Sequence, residues 1–232
     1  MIGGIIFDKD GTLFDFRRTW AEWAARLTLE LAQGDAARAE ALGRVVGFDL
    51  ATRDFAWDSP VIGGTPVELA ALLAPHLPGC VPARLVERMN TLAADVPLAE
   101  AVPLRPLLQG LRARGLRIGL VTNDAEMPAH AHLNRAGVAD LFDFVAGCDS
   151  GHGAKPAPGQ LLAFCAAMGL APREVVMVGD SLHDLHAGAH AGMRRIGVLT
   201  GIARTAELAP HADTVLPDIG SLPAWLDRQA AA

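Results

Sequence analysis

The chain has 232 residues, of which 51% are hydrophobic and 20% charged, and its formal net charge is -6. This composition is typical of a globular protein and excludes a disordered, collagen-like or disulfide-scaffold chain. The length fits one large α/β domain or a core with a smaller appended unit. Because the arginines are scattered and form no basic stripe, nucleic acid is not expected as a partner.

The cysteines and the N-terminus indicate a reducing compartment. The three cysteines, Cys80, Cys148 and Cys165, are too far apart for a C-x-x-C zinc site and are expected to be buried thiols. The apolar stretch at residues 2–7 lacks a basic segment before it, so no signal peptide is predicted. No uncharged run approaches the length of about 18 residues that a membrane span needs. We therefore expect a cytoplasmic monomer or homodimer with no membrane partner.

The first predicted element is a strand at residues 2–7, and an all-helical segment follows it. One apolar stripe at helical spacing ends at Gly34 and contains Trp20, Trp23, Ala24, Leu27 and Leu31. Further helices are predicted after Asp35, after Thr65 and from Pro82 to Thr91, with an irregular stretch at residues 47–64. An all-helical insert directly after the first strand suggests a lid.

From about residue 103 onward, short apolar runs alternate with helix-length segments, as in βαβ units. Strands are predicted at 116–122, 144–147, 175–179, 195–199 and 214–216. Helices are predicted at 103–114, 127–136, 158–168 and 182–191, each followed by a glycine suited to end it. The predicted fold class is α/β, with a Rossmann-like parallel sheet formed by residues 1–15 and 98–232 and a helical cap at residues 16–97.

Polar residues stand near the ends of these strands. Because ligands of a parallel α/β sheet bind outside the carboxyl ends of its strands, these residues are expected to share one edge. The segments are Asp8-Lys9-Asp10-Gly11-Thr12, Thr122-Asn123-Asp124, Lys155-Pro156 and Gly179-Asp180-Ser181-Leu182-His183-Asp184.

The order and spacing of these segments resemble the four motifs of the haloacid dehalogenase superfamily, and the helical insert resembles its cap. The likeness covers nearly the whole chain and is closest to phosphoglycolate-phosphatase-like members. It implies Mg²⁺-dependent hydrolysis of a small phosphate monoester through an aspartyl-phosphate, with 2-phosphoglycolate as the leading substrate. A sugar-phosphate mutase of the same superfamily is the alternative, since it shares every core residue named.

The resemblance also implies the roles of individual residues. Asp8 would be the nucleophile, and Asp10 would protonate the leaving oxygen and later activate water. Mg²⁺ would be held by Asp8, Asp180 and the Asp10 carbonyl, with Asp184 supporting it through water. An acid at position 10 favours phosphate transfer over dehalogenation. The lack of any lysine in residues 16–97 disfavours the Schiff-base chemistry of phosphonate cleavage.

The phosphoryl group is expected to lie among polar groups of the same loops. Thr122, the backbone N–H of Asn123, and the turn containing Gly11 and Thr12 would bind its oxygens, and Lys155 would supply a positive charge. The chain has twenty basic residues, and the two lysines among them, Lys9 and Lys155, both lie inside the motifs. This placement suggests a steric or chemical need for an ammonium group.

Several other residues are candidates with a plain structural alternative. Arg17, Arg18 and Arg53 could present a guanidinium to a substrate carboxylate or could simply be solvated. His152, beside Lys155, could contact the substrate or have no role.

The remaining histidine and tryptophan candidates have simpler interpretations. His183, His186 and His190 could share a helix face and bind a metal, although ordinary helix residues explain them as well. Trp20 and Trp23 are expected to be cap core.

Two other classes of protein share parts of the pattern. Gly179-Asp180-Ser181-Leu182 is the G-D-S-L string of a serine esterase family, but that string belongs near the N-terminus and no downstream Asp-x-x-His follows it. A receiver-type signalling domain also uses acidic residues, Mg²⁺, Thr and Lys-Pro. Receivers, however, are about half this length and place the lysine after the last acid.

Overall fold

The computed structural model describes residues 2–230, and a six-stranded parallel sheet lies at its centre. The spatial order is β5-β4-β1-β6-β7-β8. The strands are β1 Gly4–Phe7, β4 Arg117–Val121, β5 Phe144–Ala146, β6 Val175–Gly179, β7 Arg194–Val198 and β8 Thr214–Leu216. Every predicted strand is present, with ends that shift by at most two residues, so the α/β fold class is confirmed.

Helices cover both faces of the sheet and bury its two apolar sides. They are α5 Leu104–Ala113, α6 Glu126–Arg135, α7 Gly159–Met168, α8 Leu182–Ala191, α9 Thr205–Leu208 and α10 Leu222–Ala230. Successive residues of β1 point to opposite faces, so Ile5 and Phe7 enter one apolar cluster and Ile6 the other. Both clusters are fully packed, which makes the sheet a rigid support for the loops at its edge.

The segment between β1 and α5 forms a helical unit with its own core. Its helices are α1 Phe16–Leu31, α2 Ala36–Val45, α3 Pro66–Leu73 and α4 Pro82–Ala94. Thr65 and Glu68 form a reciprocal capping box at the start of α3. The stretch predicted to be irregular contains a small antiparallel pair, β2 Phe48–Asp49 and β3 Asp54–Phe55. Strands of two residues are too short to show an alternating pattern in sequence.

The chain leaves and re-enters the sheet domain at one narrow connection. The Asp15 N–H donates to the Ala99 carbonyl at 2.8 Å, and the Ala101 N–H donates to the Leu13 carbonyl at 2.9 Å. These contacts, with the separate apolar cluster of the helical unit, support our proposal that residues 16–97 are a cap on a core of residues 1–15 and 98–232.

Two further expectations concern the cysteines and the membrane. Cys165 is buried as predicted, whereas Cys80 and Cys148 are partly exposed, so the prediction was wrong for those two. Within residues 2–230, no helix combines the length and apolar character that crossing a membrane requires.

Candidate active site

Lys155, a buried lysine at the carboxyl edge of the sheet, contacts residues of two other predicted motifs. Lys155 Nζ donates to Asp8 Oδ1 at 2.5 Å, to Asp184 Oδ1 at 2.6 Å and to the Val121 carbonyl at 3.3 Å. Asp8 directly follows β1, and Asp184 lies in the first turn of α8. Burial alone would lower the pKa of Lys155, but the charges of Asp184 and Asp8 outweigh it and raise that pKa. Lys155 is therefore a cation fixed between two carboxylates.

Three buried carboxylates converge beside this lysine. Asp8, Asp180 and Asp184 each offer an oxygen within 4.8 Å of the others. Burial raises the pKa of Asp8 to about 7, and burial together with Asp8 and Asp184 raises the pKa of Asp180 well above its usual value. Three buried acids thus share one lysine and repel one another when they are ionised, which is why a positive charge at this point would be favoured. Hard oxygen ligands at this spacing fit a divalent cation such as Mg²⁺.

Two glycines allow the backbone to pass close to Asp180. A Cβ atom on Gly11, which has a φ of +81°, would lie 2.4 Å from Asp180 Oδ2, and one on Gly201 would lie 1.7 Å from the same atom. Thr200 connects the two loops, since its Oγ1 donates to the Gly11 carbonyl at 2.6 Å. Thr12 Oγ1 lies 3.4 Å from Asp180 Oδ1 and is fully buried. Thr200 and Gly201 were missed in the sequence because they match no motif.

One of the backbone groups predicted to bind a phosphoryl oxygen, the Gly11 N–H, is already engaged within the protein. The Gly11 N–H donates to the Phe14 carbonyl at 2.7 Å, which closes the turn. Neither Gly11 nor Thr12 lines the cavity described below. Gly11 and Thr12 shape the turn and support Asp180, and the binding of phosphoryl oxygens by this turn stays a prediction.

Lys9 holds the carboxylate of Asp10, a role the sequence did not reveal. Lys9 is fully buried; its Nζ lies 2.7 Å from Asp10 Oδ2 and 3.0 Å from Asp124 Oδ2, and 5.3 Å from the centre of the Trp20 ring. Asp10 Oδ1 is buried without a hydrogen-bond partner. The side chain of Asp10 is therefore engaged with Lys9 and stands outside the carboxylate cluster, so only its carbonyl stays a predicted metal ligand.

His132 connects this lysine to the cap. Its Nδ1 lies 3.1 Å from Lys9 Nζ, and its Nε2 lies 2.7 Å from the carbonyl of Ala93 in α4. An ammonium group can only donate, so Nδ1 accepts and the neutral ring carries its proton on Nε2. Burial, reinforced by the charge of Lys9, lowers the pKa of His132 to about 4.

We expect this buried neutral histidine to make folding sensitive to acid. Its folded-state pKa lies below the unfolded value of about 6.5, so the unfolded chain takes up the proton first as the pH falls. Between pH 7.5 and pH 5 the free energy of unfolding should drop by about 2 kcal/mol through His132. Urea unfolding of the wild type and of His132→Phe at both pH values measures this term. An equal drop in the two proteins would contradict it.

Thr122 and Asn123 follow β4 and serve different purposes. Thr122 Oγ1 accepts from the Asp124 N–H at 3.0 Å, which leaves its own hydroxyl proton free to be donated. The Asn123 side chain accepts from the Lys155 N–H at 2.8 Å and donates to the Lys155 carbonyl at 2.9 Å and to the Gly63 carbonyl at 2.7 Å. Its amide thus fixes the Lys155 loop and ties a cap loop to the core.

Both oxygens of Asp184 are already hydrogen-bonded. Oδ1 accepts from Lys155, and Oδ2 accepts from the Ser181 N–H at 3.1 Å and the Ser181 hydroxyl at 2.7 Å. Asp184 therefore positions Lys155 and caps α8, and its predicted contact to a metal through water stays a prediction. Because the Ser181 hydroxyl donates to a carboxylate within its own helix turn, the geometry disfavours the serine-esterase interpretation.

A cavity separates the cap from the catalytic edge of the sheet. Asp8, Asp10, Thr122, Asn123 and Lys155 line its core side. Its cap side is lined by side chains from α1, α3, α4 and the loop before α3, including Phe16, Trp20, Trp23, Val61, Ile62, Leu69, Met89 and Asn90. The interpretation of Trp20 and Trp23 as cap core alone was therefore incomplete: both belong to the apolar cluster and also face the cavity.

The predicted cap arginines lie outside this cavity. Arg17 forms an ion pair with Asp54 at 3.3 Å, and Arg53 pairs with Glu22 at 2.5 Å, with more than a third of each side chain exposed. Arg18 is exposed as well. The structure thus does not bring these residues to the site, because Arg17 and Arg18 lie on an exposed face of α1 and Arg53 lies in the exposed turn between β2 and β3.

The four candidate histidines lie in different surroundings. His152 is exposed and does not line the cavity. His183 lines it, His186 lies 3.3 Å from His211, and His190 lies 3.0 Å from the Pro156 carbonyl. Among the described residues these three histidines form no metal cluster.

Comparison with known proteins gives the same assignment as the motifs. The model of the haloacid dehalogenase-like hydrolases matches residues 2–192. A phosphoglycolate phosphatase of Rhodospirillum rubrum is 37% identical over 120 residues, which are 52% of this chain and 50% of that protein. The chain thus spans about half the length of that relative. One from Yersinia pseudotuberculosis is 32% identical over 227 residues, covering 95% of this chain and 91% of that protein.

Solved structures share the whole fold at lower identity. A predicted phosphoglycolate phosphatase from Haemophilus somnus 129pt is 19% identical, covers 97% of this chain and 98% of its own, and has a TM-score of 0.74. Structures of beta-phosphoglucomutase share the fold too. From the family match and the relative that aligns over nearly its full length, this chain belongs to the haloacid dehalogenase-like hydrolases.

Proposed function

We propose that the protein hydrolyses a small phosphate monoester, with Asp8 as nucleophile, Asp10 as acid and base, and Mg²⁺ as cofactor. The observation that carries the proposal is the ion-paired lysine: Lys155 bridges Asp8 and Asp184 at 2.5 and 2.6 Å, and Asp180 lies beside them. This arrangement supports the proposal, because it surrounds one carboxylate with a fixed cation and with oxygen ligands suited to a divalent cation, and transfer of an anionic phosphoryl group requires such charges.

In the first half-reaction the Asp8 carboxylate attacks phosphorus while the bond from phosphorus to the leaving oxygen breaks. Asp10 gives that oxygen its proton through Oδ1, the atom that Lys9 leaves without a partner. Thr122 donates its free hydroxyl proton to a phosphoryl oxygen. The backbone N–H of Asn123 is proposed as a second donor. The result is an aspartyl-phosphate on Asp8 and a free alcohol.

In the second half-reaction water attacks the same phosphorus. Asp10 Oδ1 takes the proton of the water, and the bond between phosphorus and Asp8 breaks, which releases inorganic phosphate and restores the carboxylate. Lys155 keeps Asp8 in place through both steps. Mg²⁺, held by Asp8, Asp180 and the Asp10 carbonyl, would neutralise phosphoryl charge when bound.

Removing the metal should stop turnover. With excess chelator, release of phosphate is expected to fall to background, and added Mg²⁺ should restore it, because the carboxylate cluster alone repels an anionic substrate. A colorimetric assay of free phosphate measures activity both with chelator and after Mg²⁺ is added back. Full activity in chelator would argue for metal-independent chemistry. A stable aspartyl-phosphate without phosphate release would favour the signalling interpretation.

The mutase alternative differs in its product. A sugar-phosphate mutase would convert one hexose phosphate into its isomer and release little free phosphate. Measuring isomer and free phosphate in one hexose-phosphate reaction therefore separates the two activities. The expectation of 2-phosphoglycolate as the substrate rests on the resemblance and on the names of the relatives. The cytoplasmic location and the monomeric or homodimeric state stay predictions from the sequence.

A further inference from the structure

We propose that the cap selects a phosphate ester whose leaving group is uncharged and largely apolar, in preference to one that carries a carboxylate. This inference rests on the proposed phosphatase activity and concerns the half of the substrate that faces the cap. It departs from the resemblance, since 2-phosphoglycolate places an anion at that position.

The apolar character of the cap wall is the first observation. Side chains from three cap helices and one loop contribute to it, and each of the six named next is at most 7% exposed. They are Phe16, Trp20, Trp23, Val61, Leu69 and Met89. Such a surface gains free energy by covering apolar atoms of a ligand, and it offers no compensation to a charged group taken out of water.

The charges around the cavity are the second observation that favours an uncharged leaving group. Among the described residues that line it, Lys155 and His183 are the side chains that can carry a positive charge. Lys155 is already bound by two carboxylates. Asp8, Asp10 and Asp124 line the cavity too, and Lys9 is already paired with the last two. A second anion on the substrate would therefore meet acids and find both lysines already engaged with carboxylates. His183 alone would remain to receive a carboxylate.

The unpaired polar atoms of the cap wall are neutral. Trp20 Nε1 and Asn90 Oδ1 are buried without a hydrogen-bond partner, whereas the neighbouring Trp23 Nε1 donates to the Met89 carbonyl at 3.1 Å. One neutral donor and one neutral acceptor suit a hydroxyl group, which can accept from the indole and donate to the amide. A buried polar group that lacks a partner is costly, so a ligand that supplies one is favoured.

A panel of alkyl esters tests the proposal on the wild-type protein with Mg²⁺. Benzyl phosphate, butyl phosphate and 2-phosphoglycolate all release an alcohol whose hydroxyl is on a CH₂ carbon, and they differ in what faces the cap. We expect kcat/KM for benzyl phosphate to exceed that for 2-phosphoglycolate by about tenfold or more. A higher value for 2-phosphoglycolate would overturn the inference.

A cap variant checks that the wall itself sets this preference. Ile62 lines the cavity and is only partly buried, so it can accept a longer side chain. Ile62→Lys should shift the ratio of the two kcat/KM values toward 2-phosphoglycolate by about tenfold, and Ile62→Leu, the matched control, should leave it unchanged. An unchanged ratio in Ile62→Lys, with the variant still folded by circular dichroism, would contradict the assignment to the wall.

Two further arms separate the remaining explanations. If His183→Gln removes a preference for 2-phosphoglycolate, His183 recognises the carboxylate and the inference is wrong. Acetyl phosphate, a small activated phosphoryl donor that needs no cap contact, reports on the core alone. If it and every ester are left intact, the proposed phosphatase activity itself fails. If it is hydrolysed and 2-phosphoglycolate is the best ester, only the inference fails.

Discussion

Asp8→Asn is expected to lower kcat by about 10⁴-fold or more while the protein stays folded. The amide cannot attack phosphorus, and no neighbouring group replaces it. The two neighbouring carboxylates are engaged elsewhere. Both oxygens of Asp184 are hydrogen-bonded to Lys155 and Ser181, and Asp180 is a proposed metal ligand. The variant also removes one of three crowded acids, so it relieves repulsion in the cluster. Phosphate release under saturating ester and Mg²⁺ is the measurement.

A matched substitution controls for the loss of a carboxylate as such. Asp58 is exposed in the cap loop and does not line the cavity, so Asp58→Asn should keep wild-type kcat. Trapping of phosphate on the protein gives a second readout, because in the proposed mechanism the aspartyl-phosphate forms on Asp8. Normal turnover by Asp8→Asn, or phosphate bound covalently in that variant, would remove the nucleophile assignment.

Lys155→Met should damage both stability and activity. The substitution leaves Asp8 and Asp184 buried with no cation between them, and breaking a buried ion pair on one side costs about 3–5 kcal/mol. The loss should be smaller at low pH, where the carboxylates can take up protons, and smaller with Mg²⁺ present, since the metal replaces part of the missing charge. Urea unfolding at neutral pH, with and without Mg²⁺, measures it.

The chain provides a contrasting ion pair on its surface. Arg88 pairs with Glu30 at 2.5 Å, and both side chains are more than two-fifths exposed. Arg88→Met should therefore leave the urea midpoint of unfolding nearly unchanged, because exposed ion pairs contribute little to stability. If Lys155→Met unfolded at the same urea concentration as Arg88→Met, the central place of Lys155 in the site would be refuted. Activity gives an independent check, because a folded Lys155→Met protein should still turn over at least about 10²-fold more slowly.

The catalytic edge of the sheet could be predicted from sequence because its signals are local. Asp8, Thr122 and Asp180 each stand at the end of a short apolar run, and in a parallel sheet all such ends meet at one edge. Asp8 and Lys155 are 147 residues apart, and the same rule places the loop after β5, which carries Lys155, at this edge, whereas the Asn123 amide fixes the position of that loop. The helices of the cap were visible for the same reason, since their apolar stripes repeat within one segment.

The role of Lys9 could not be read in this way. The sequence marked it as one of two lysines, but its partners lie 115 and 123 residues away: Asp124 in the loop before α6, and His132 on α6, where it contacts the cap. Gly201 was not identified from the sequence for a similar reason. Its importance comes from the path of one loop past Asp180, which no motif records.

The sequence by itself determined the order of strands and helices, the insertion of a helical unit after β1, and the set of acids, hydroxyl and lysine at the sheet edge. The tertiary structure alone decided what faces the substrate. It turned Arg17 and Arg53 to solvent and Trp20 and Asn90 to the cavity. Secondary structure follows from neighbours along the chain, whereas the lining of a cavity depends on which faces of separate elements pack against each other.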